Sequence, residues 1–202
     1  MKIYNSPMAP NPRRVRVFLA EKGLQVPYED VDIGKAVNRQ AEFLKKNPLA
    51  GVPVLELDDG TCIAESVAIC RYFEMLQPEP PLMGIDARDC AIVEMWNRRM
   101  ELALLLPIAD SFRQRHDFFK GRIRQCPDYA EVQKLNALDS LAWLDRELAN
   151  RPYIAGDRFT IADITALIAI DFGRISKIGI QPEQKHLARW HAEVAARPSA
   201  KA

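Results

Sequence analysis

The first seventy-six residues alternate short apolar runs with polar turns, and the rest of the chain carries apolar residues at helical spacing. Lys2-Ile3-Tyr4 predicts a first strand, followed by a turn-rich loop from Ser6 to Pro12. Asn11 before Pro12 predicts a helix start, with Asn as cap and Pro at a position that needs no N–H. Val15, Phe18, Leu19 and Lys22 continue that helix until Gly23 stops it. Val26 to Ile33 predicts a second strand, and Asn38 to Lys46 a short polar helix. Val54 to Leu57 and Thr61 to Ala64 form two more strand patterns. Asp59-Gly60 between them signals a type I′ hairpin turn with positive φ at both residues. Ser66 then reads as the N-cap of a helix carrying Ile69, Tyr72, Phe73 and Leu76. This order predicts a small mixed sheet that begins with a right-handed parallel unit and has helices on both faces.

Gln77 to Gly84 holds three prolines and predicts an inter-domain linker. No strand pattern follows it. Ala87 to about Phe119 reads as one long helix kinked at Pro107. Pro127 opens another, to about Ala149, with Val132, Leu135, Leu138, Leu141, Leu144 and Leu148 on one face. Thr160 and Asp163 form a capping-box pair, with Phe159 and Ile164 placed for a hydrophobic staple. The helix behind them, to about Ile175, is apolar nearly all round and should be the buried centre of this half. A last amphipathic helix follows Pro182, with Leu187, Trp190 and Val194. The division expected is 1–77, a linker at 78–86, and an all-helical 87–202.

A chain of 202 residues with a net charge of +1 has no electrostatic footprint for nucleic acid or a membrane surface. No apolar run reaches the ~20 residues that span a bilayer. The start at Met1-Lys2-Ile3-Tyr4 reads as a strand and not as a leader. Cys62, Cys70, Cys90 and Cys126 make no Cys-x-x-Cys pair and no metal spacing, so reduced thiols, a cytoplasmic location and no metal are expected.

The central stretch carries the chemistry. Pro53 stands just before a strand, where a Val-Pro bond tolerates the cis form and the Val52 main chain offers an edge to an extended peptide. The first turn of the next helix, at Glu65-Ser66, offers N–H groups and positive potential to a carboxylate. Together these describe a site for a small, acidic, extended peptide. Taken singly, Pro53 is also a turn former and Ser66 also a cap.

An αβ half, a proline-rich linker and a helical half together resemble a cytosolic glutathione transferase. The resemblance rests on Val52-Pro53 with Glu65-Ser66 downstream, and on Tyr153-Ile154-Ala155-Gly156-Asp157 leading into Thr160-Ile161-Ala162-Asp163. It covers essentially the whole chain and implies a thioredoxin-like first domain. It further implies homodimers that bind glutathione as co-substrate, with no resident cofactor, and an apolar electrophile. The resemblance assigns the cysteinyl part of glutathione to Val52 and Pro53, and the γ-glutamyl end to Glu65 and Ser66. Asn38 and Arg39 fall where members reach the glycyl carboxylate. Asn38 replaces a commoner His, Gly51 a frequent Lys or Gln, and Arg39 on a polar helix is otherwise simply solvated.

The thiol activator departs from the family pattern. Ala9 and Pro10 occupy the positions where members place Ser or Cys, and Tyr4 lies in the first strand. Ser6 is on the near side of the loop and Asn11 at the helix start. A free thiol titrates at about 8.5, and a helix N-terminus supplies up to ~2 kcal/mol, equivalent to about 1.5 pH units. The first helix, helped by the Asn11 amide or side chain, would therefore bring the thiolate near neutral pH. Arg13, Arg14 and Arg16 would act in the same direction.

The chain also resembles an atypical fungal and bacterial subgroup lacking the usual Tyr, Ser or Cys. That likeness implies a water held near the sulfur by Ser111 and His116; a helical His is otherwise surface or packing. Met8, Met100, Leu104, Ile108 and Phe112 are apolar-pocket candidates or core.

Three functions follow. The first is conjugation of glutathione to apolar electrophiles in detoxification, with possible peroxide reduction. The second is a non-catalytic glutathione-binding or regulatory protein, and the third a glutathione-dependent disulfide reductase.

Overall fold

A computed structural model describes residues 1–202. The chain forms two units, Met1–Pro81 with Lys201–Ala202, and Leu82–Ala200. No helix is long and apolar enough to cross a membrane.

The first unit is a four-stranded mixed sheet with helices. Its elements are β1 (Lys2–Asn5), α1 (Pro10–Lys22), β2 (Tyr28–Asp30), α2 (Ala41–Leu44), β3 (Val54–Glu56), β4 (Cys62–Ala64) and α3 (Ser66–Leu76). The strand order is β2-β1-β3-β4. β1 runs parallel to β2 and antiparallel to β3. Ile3 lies opposite Leu55 and Tyr4 opposite Val54, so each pair shares one face of the pleat. Tyr4 and Val54 join Val31 and Phe43 in one buried cluster. α1 and α3 pack on each other, burying Val15, Phe18, Leu19, Ile69, Cys70 and Phe73.

Local chemistry moved several boundaries. β2 is shorter than its apolar pattern, because Pro27 brings only a carbonyl to the ladder, accepting from the Ile3 N–H. The polar stretch after Asn38 is not one helix. A 3-10 turn spans Val37–Arg39, Gln40 is extended, and α2 has only four residues. In the hairpin only Gly60 has positive φ, at 86°. The Gly60 N–H bonds the Leu57 carbonyl and the Leu57 N–H bonds Thr61, which makes a longer loop than type I′. Cys62 is half-buried and Cys70 fully buried.

The second unit is all helical: α4 (Ala87–Arg99), a π-helical segment (Met100–Leu105), α5 (Leu106–Arg113), α6 (Pro127–Glu147), α7 (Ile161–Gly173) and α8 (Lys185–Ala195). The expected long helix ends at Arg113, short of Phe119. Pro107 cannot donate to the Ala103 carbonyl, four residues back. The Ser140 hydroxyl donates to that carbonyl instead, at 2.6 Å, and the wider π turns lie just before the proline. The apolar stripe divides: Leu141 and Leu144 on α6 and Leu148 just past its end are buried, whereas Val132 and Leu135 are exposed. Met100, Leu104 and Ile108 are buried core residues of this unit.

α7 is the centre of the unit, buried almost throughout. Its capping box is present, with Thr160 as cap and Asp163 as reciprocal acceptor. The Asp163 carboxylate also accepts from the Ile154 N–H at 2.9 Å and the Trp190 indole N–H at 2.8 Å. Burial pushes the Asp163 carboxyl up to about 6 against these donors. Its folded value lies above its ordinary 3.8, so the native state binds the proton more readily than the unfolded chain. The contribution of this group to stability therefore rises as pH falls from about 6 towards 4, and is lower above pH 6. Asp163→Asn should cost roughly 1–3 kcal/mol at pH 7, because an amide N–H then faces the Thr160 N–H. Urea unfolding from pH 4 to 7 should show the pH slope in the wild type and its loss in the variant.

Candidate functional site

Three strands begin or finish at the same end of the sheet. Tyr4 pairs with Val54, and Val54 with Ala64. One step beyond these pairs, Asn5 and Ser6 leave β1, Pro53 and Val52 enter β3, and Glu65 and Ser66 leave β4. The Val52-Pro53 peptide is cis. No main-chain hydrogen bond of the fold uses Val52. Its N–H and carbonyl thus form a short free edge of strand-like backbone.

Buried asparagine holds that edge. The Asn47 Nδ2 donates to the Gly51 carbonyl at 3.0 Å and its Oδ1 accepts from the Leu49 N–H at 3.1 Å. The Asn38 Nδ2 donates to the Ala50 carbonyl at 2.8 Å. Both side chains mimic missing ladder bonds in a loop that has no regular structure. Asn38 is therefore first a loop anchor, which leaves its Oδ1 as the free end. Arg39 is exposed.

The start of α3 differs from its expected cap. Glu65 is the N-cap, with φ 66° and ψ 114°, and Ser66 is the first helical residue. No side chain caps this helix. A positive φ at Glu65 costs on the order of 1–3 kcal/mol and directs the first-turn N–H groups outward without an internal acceptor. Arg14 reaches Ser66 from below: its Nη1 donates to the Ser66 Oγ at 2.8 Å, and both residues are buried. In the sequence Arg14 stands in a charged run with Arg13 and Arg16. The legible signal was its place on an otherwise apolar stripe, four residues before Phe18 and eight before Lys22.

The start of α1 also differs. The helix begins at Pro10 with Ala9 as N-cap, so Asn11 lies inside the first turn and is not the cap. Pro10 and Pro12 have no N–H, and the Ala9 N–H bonds the Ser6 carbonyl at 3.1 Å. The Asn11 main-chain N–H is what remains of the usual donor set. Ser6 is buried. The loop is tied by the Arg16 Nη1 to Asn5 Oδ1 at 2.7 Å and by its Nη2 to the Pro7 carbonyl at 3.0 Å. Arg16 thus braces the loop. The Tyr4 hydroxyl donates to Glu56 at 2.6 Å.

Ser111 and His116 belong to the second unit, and no contact joins them. Ser111 is buried on α5, while His116 is exposed beyond the helix end and not inside it. The His116 Nδ1 accepts from the Phe118 N–H at 3.1 Å. In its neutral form the ring then carries its proton on Nε2, which makes it a donor and not a base.

An edge beside a cis-proline, adjoining an uncapped helix start, defines a thioredoxin-like domain, here followed by an all-helical one. Residues 1–74 match the glutathione S-transferase N-terminal domain and residues 95–198 the C-terminal domain. The chain belongs to the glutathione S-transferase family. Glutathione S-transferase 2 of Saccharomyces cerevisiae is 37% identical over 100% of this chain and 88% of that protein. The crystal structure of Gtt2 from the same yeast superposes with a TM-score of 0.95 at 37% identity, covering 100% of this chain and 99% of the other. A glutathione S-transferase domain-containing protein from Marinobacter aquaeolei VT8 gives 0.94 at 41% identity, covering 98% and 99%. The likeness to fungal and bacterial members extends over the whole fold.

Asn47→Ala removes both loop bonds and leaves the Leu49 N–H and Gly51 carbonyl without partners. Chemical denaturation should show a loss of roughly 1–3 kcal/mol. An unchanged midpoint would show that the loop is held by other contacts.

Proposed function

We propose that the chain binds glutathione along the Val52 edge and transfers its thiolate to small apolar electrophiles, with reduction of organic peroxides as a second use of the same thiolate. The γ-glutamyl carboxylate lies at the α3 N-terminus, against the Ser66 hydroxyl and the first-turn N–H groups, and Glu65 takes the ammonium. Arg39 and the Asn38 Oδ1 stand towards the glycyl end. The observation that carries this is the uncapped α3 start set beside an unpaired Val52 main chain. Glutathione enters as co-substrate and no resident cofactor is invoked. Four free cysteines fit a reducing, cytoplasmic setting.

Thiol activation falls to the N-terminus of α1 through the Asn11 main-chain N–H, since Ala9 and Pro10 bring no side-chain donor. Thiolate absorbance of bound glutathione against pH tests this. Asn11→Ala should leave the bound thiol within about 0.5 pH unit of the wild type, because the N–H is kept. A rise of a full unit would assign the activation to the side chain. Ser66→Ala should weaken glutathione binding in calorimetry by roughly 1–3 kcal/mol. No heat with millimolar glutathione in the wild type would remove the assignment. Binding without turnover of a chlorinated nitrobenzene or a peroxide would leave a non-catalytic binding protein.

We also propose a homodimer through the second unit. Met95, Leu102 and Leu106 on α4 to α5, and Tyr129, Val132 and Leu135 on α6, are between 41% and 54% exposed. α5 and α6 pack side by side, and we read these exposed apolar residues as one surface. A two-fold axis would cover it with its own copy. Light scattering should give twice 22.9 kDa for the wild type and 22.9 kDa for Val132→Arg. A monomeric wild type at micromolar concentration would overturn the dimer.

A further inference from the structure

We infer that Arg14 is a positioning residue that aims the Ser66 hydroxyl proton at the carboxylate of the bound peptide. Arg14 is 1% exposed and Ser66 is 5% exposed, and the Arg14 Nη1 lies 2.8 Å from the Ser66 Oγ. A guanidinium has donors only. The Ser66 oxygen must therefore accept from Arg14, and its own hydrogen must point elsewhere. Ser66 is the first residue of α3, and the helix start beside it has no capping side chain. The hydroxyl hydrogen and the first-turn N–H groups accordingly form one donor set around one anion position. A hydroxyl that already accepts from a cation is also the stronger donor.

The same contact places a fixed positive charge directly behind that position. Two turns further along, Lys22 meets Glu74 at 2.5 Å, so the buried carboxylate of the α1–α3 interface is held at its far end. Arg14 is thus at the anion end of the interface and Lys22 at the other. An apolar residue of Arg14's size would keep the packing and release the Ser66 hydroxyl to rotate. The role presupposes the glutathione site proposed above, and the test separates the two.

The probe pair is glutathione and its analogue lacking the γ-glutamyl α-carboxylate, each as thiol substrate with a chlorinated nitrobenzene. The wild type should prefer glutathione in kcat/KM by roughly 10- to 100-fold. Arg14→Met should bring that preference close to one, with the loss falling on KM for glutathione more than on kcat. Arg14→Gln, which keeps a donor and drops the charge, should give an intermediate preference; it supplies the measurement if Arg14→Met does not fold. Combining Arg14→Met with Ser66→Ala should add little to Ser66→Ala alone. Full wild-type preference in either folded Arg14 variant overturns the positioning role and leaves the glutathione site standing. Absence of any preference in the wild type overturns the glutathione site itself.

Discussion

The first unit depends on the parallel docking of α1 on α3. Arg14 bonds Ser66 near one end of the interface, and Lys22 meets Glu74 two turns further along both helices. The equal spacing, eight residues on each helix, sets the two helices side by side in the same direction. Phe18, Ile69, Cys70 and Phe73 fill the space between with apolar contacts. Charges buried this deeply are costly unless partnered, so the pairs impose register where apolar packing alone would tolerate sliding. Lys22 also donates to the carbonyls of Gln77, Pro78 and Pro80, which ties the proline-rich stretch to the end of α1.

Register matters because it decides where the helix starts lie. With Arg14 level with Ser66, α1 extends four residues beyond the start of α3, or about 6 Å. Two N-termini therefore open at the same sheet end, one set forward of the other. The forward one is nearly stripped of donors by Pro10 and Pro12, and the recessed one keeps its full first turn. In the proposed function the recessed start, with its full set of donors, receives the carboxylate, and the forward one, with fewer, receives the thiolate.

The backbone between these helices is shaped by side chains and not by ladder bonds. Asn47 and Asn38 hold the loop that presents Val52, and Glu65 keeps a left-handed φ at the turn into α3. Such geometry persists only where the surroundings over-determine it. Here the hairpin on one side and the buried Arg14–Ser66 contact on the other supply that restraint. In the second unit Asp163 has the comparable role, joining the α7 cap to Ile154 and Trp190 through one buried carboxylate. Burial and hydrogen bonding oppose each other at that group, and its thiol counterpart in the first unit, Cys70, is pushed up to about 12 by burial and so is chemically quiet.

Element order, the mixed sheet, the helical second half and the Thr160–Asp163 box were all legible from the sequence, because periodicity and capping are local. So was the pairing of Val52-Pro53 with Glu65-Ser66, since a hairpin between them brings its two ends together whatever surrounds it. Boundaries were not legible where a side chain competes with the backbone, as at Asn38, or where Pro107 is relieved by the distant Ser140 hydroxyl. The caps at Ala9 and Glu65 were also decided by tertiary structure. Asn11 and Ser66 each have the right chemistry for an N-cap, but a helix start follows the register that packing imposes on its whole length. Arg14 and Asn47 acquired their roles only when residues 52 positions away, or a loop of irregular backbone, came within hydrogen-bond reach. A sequence determines which groups exist and how they repeat; which buried donor meets which acceptor is settled by the packing of whole helices.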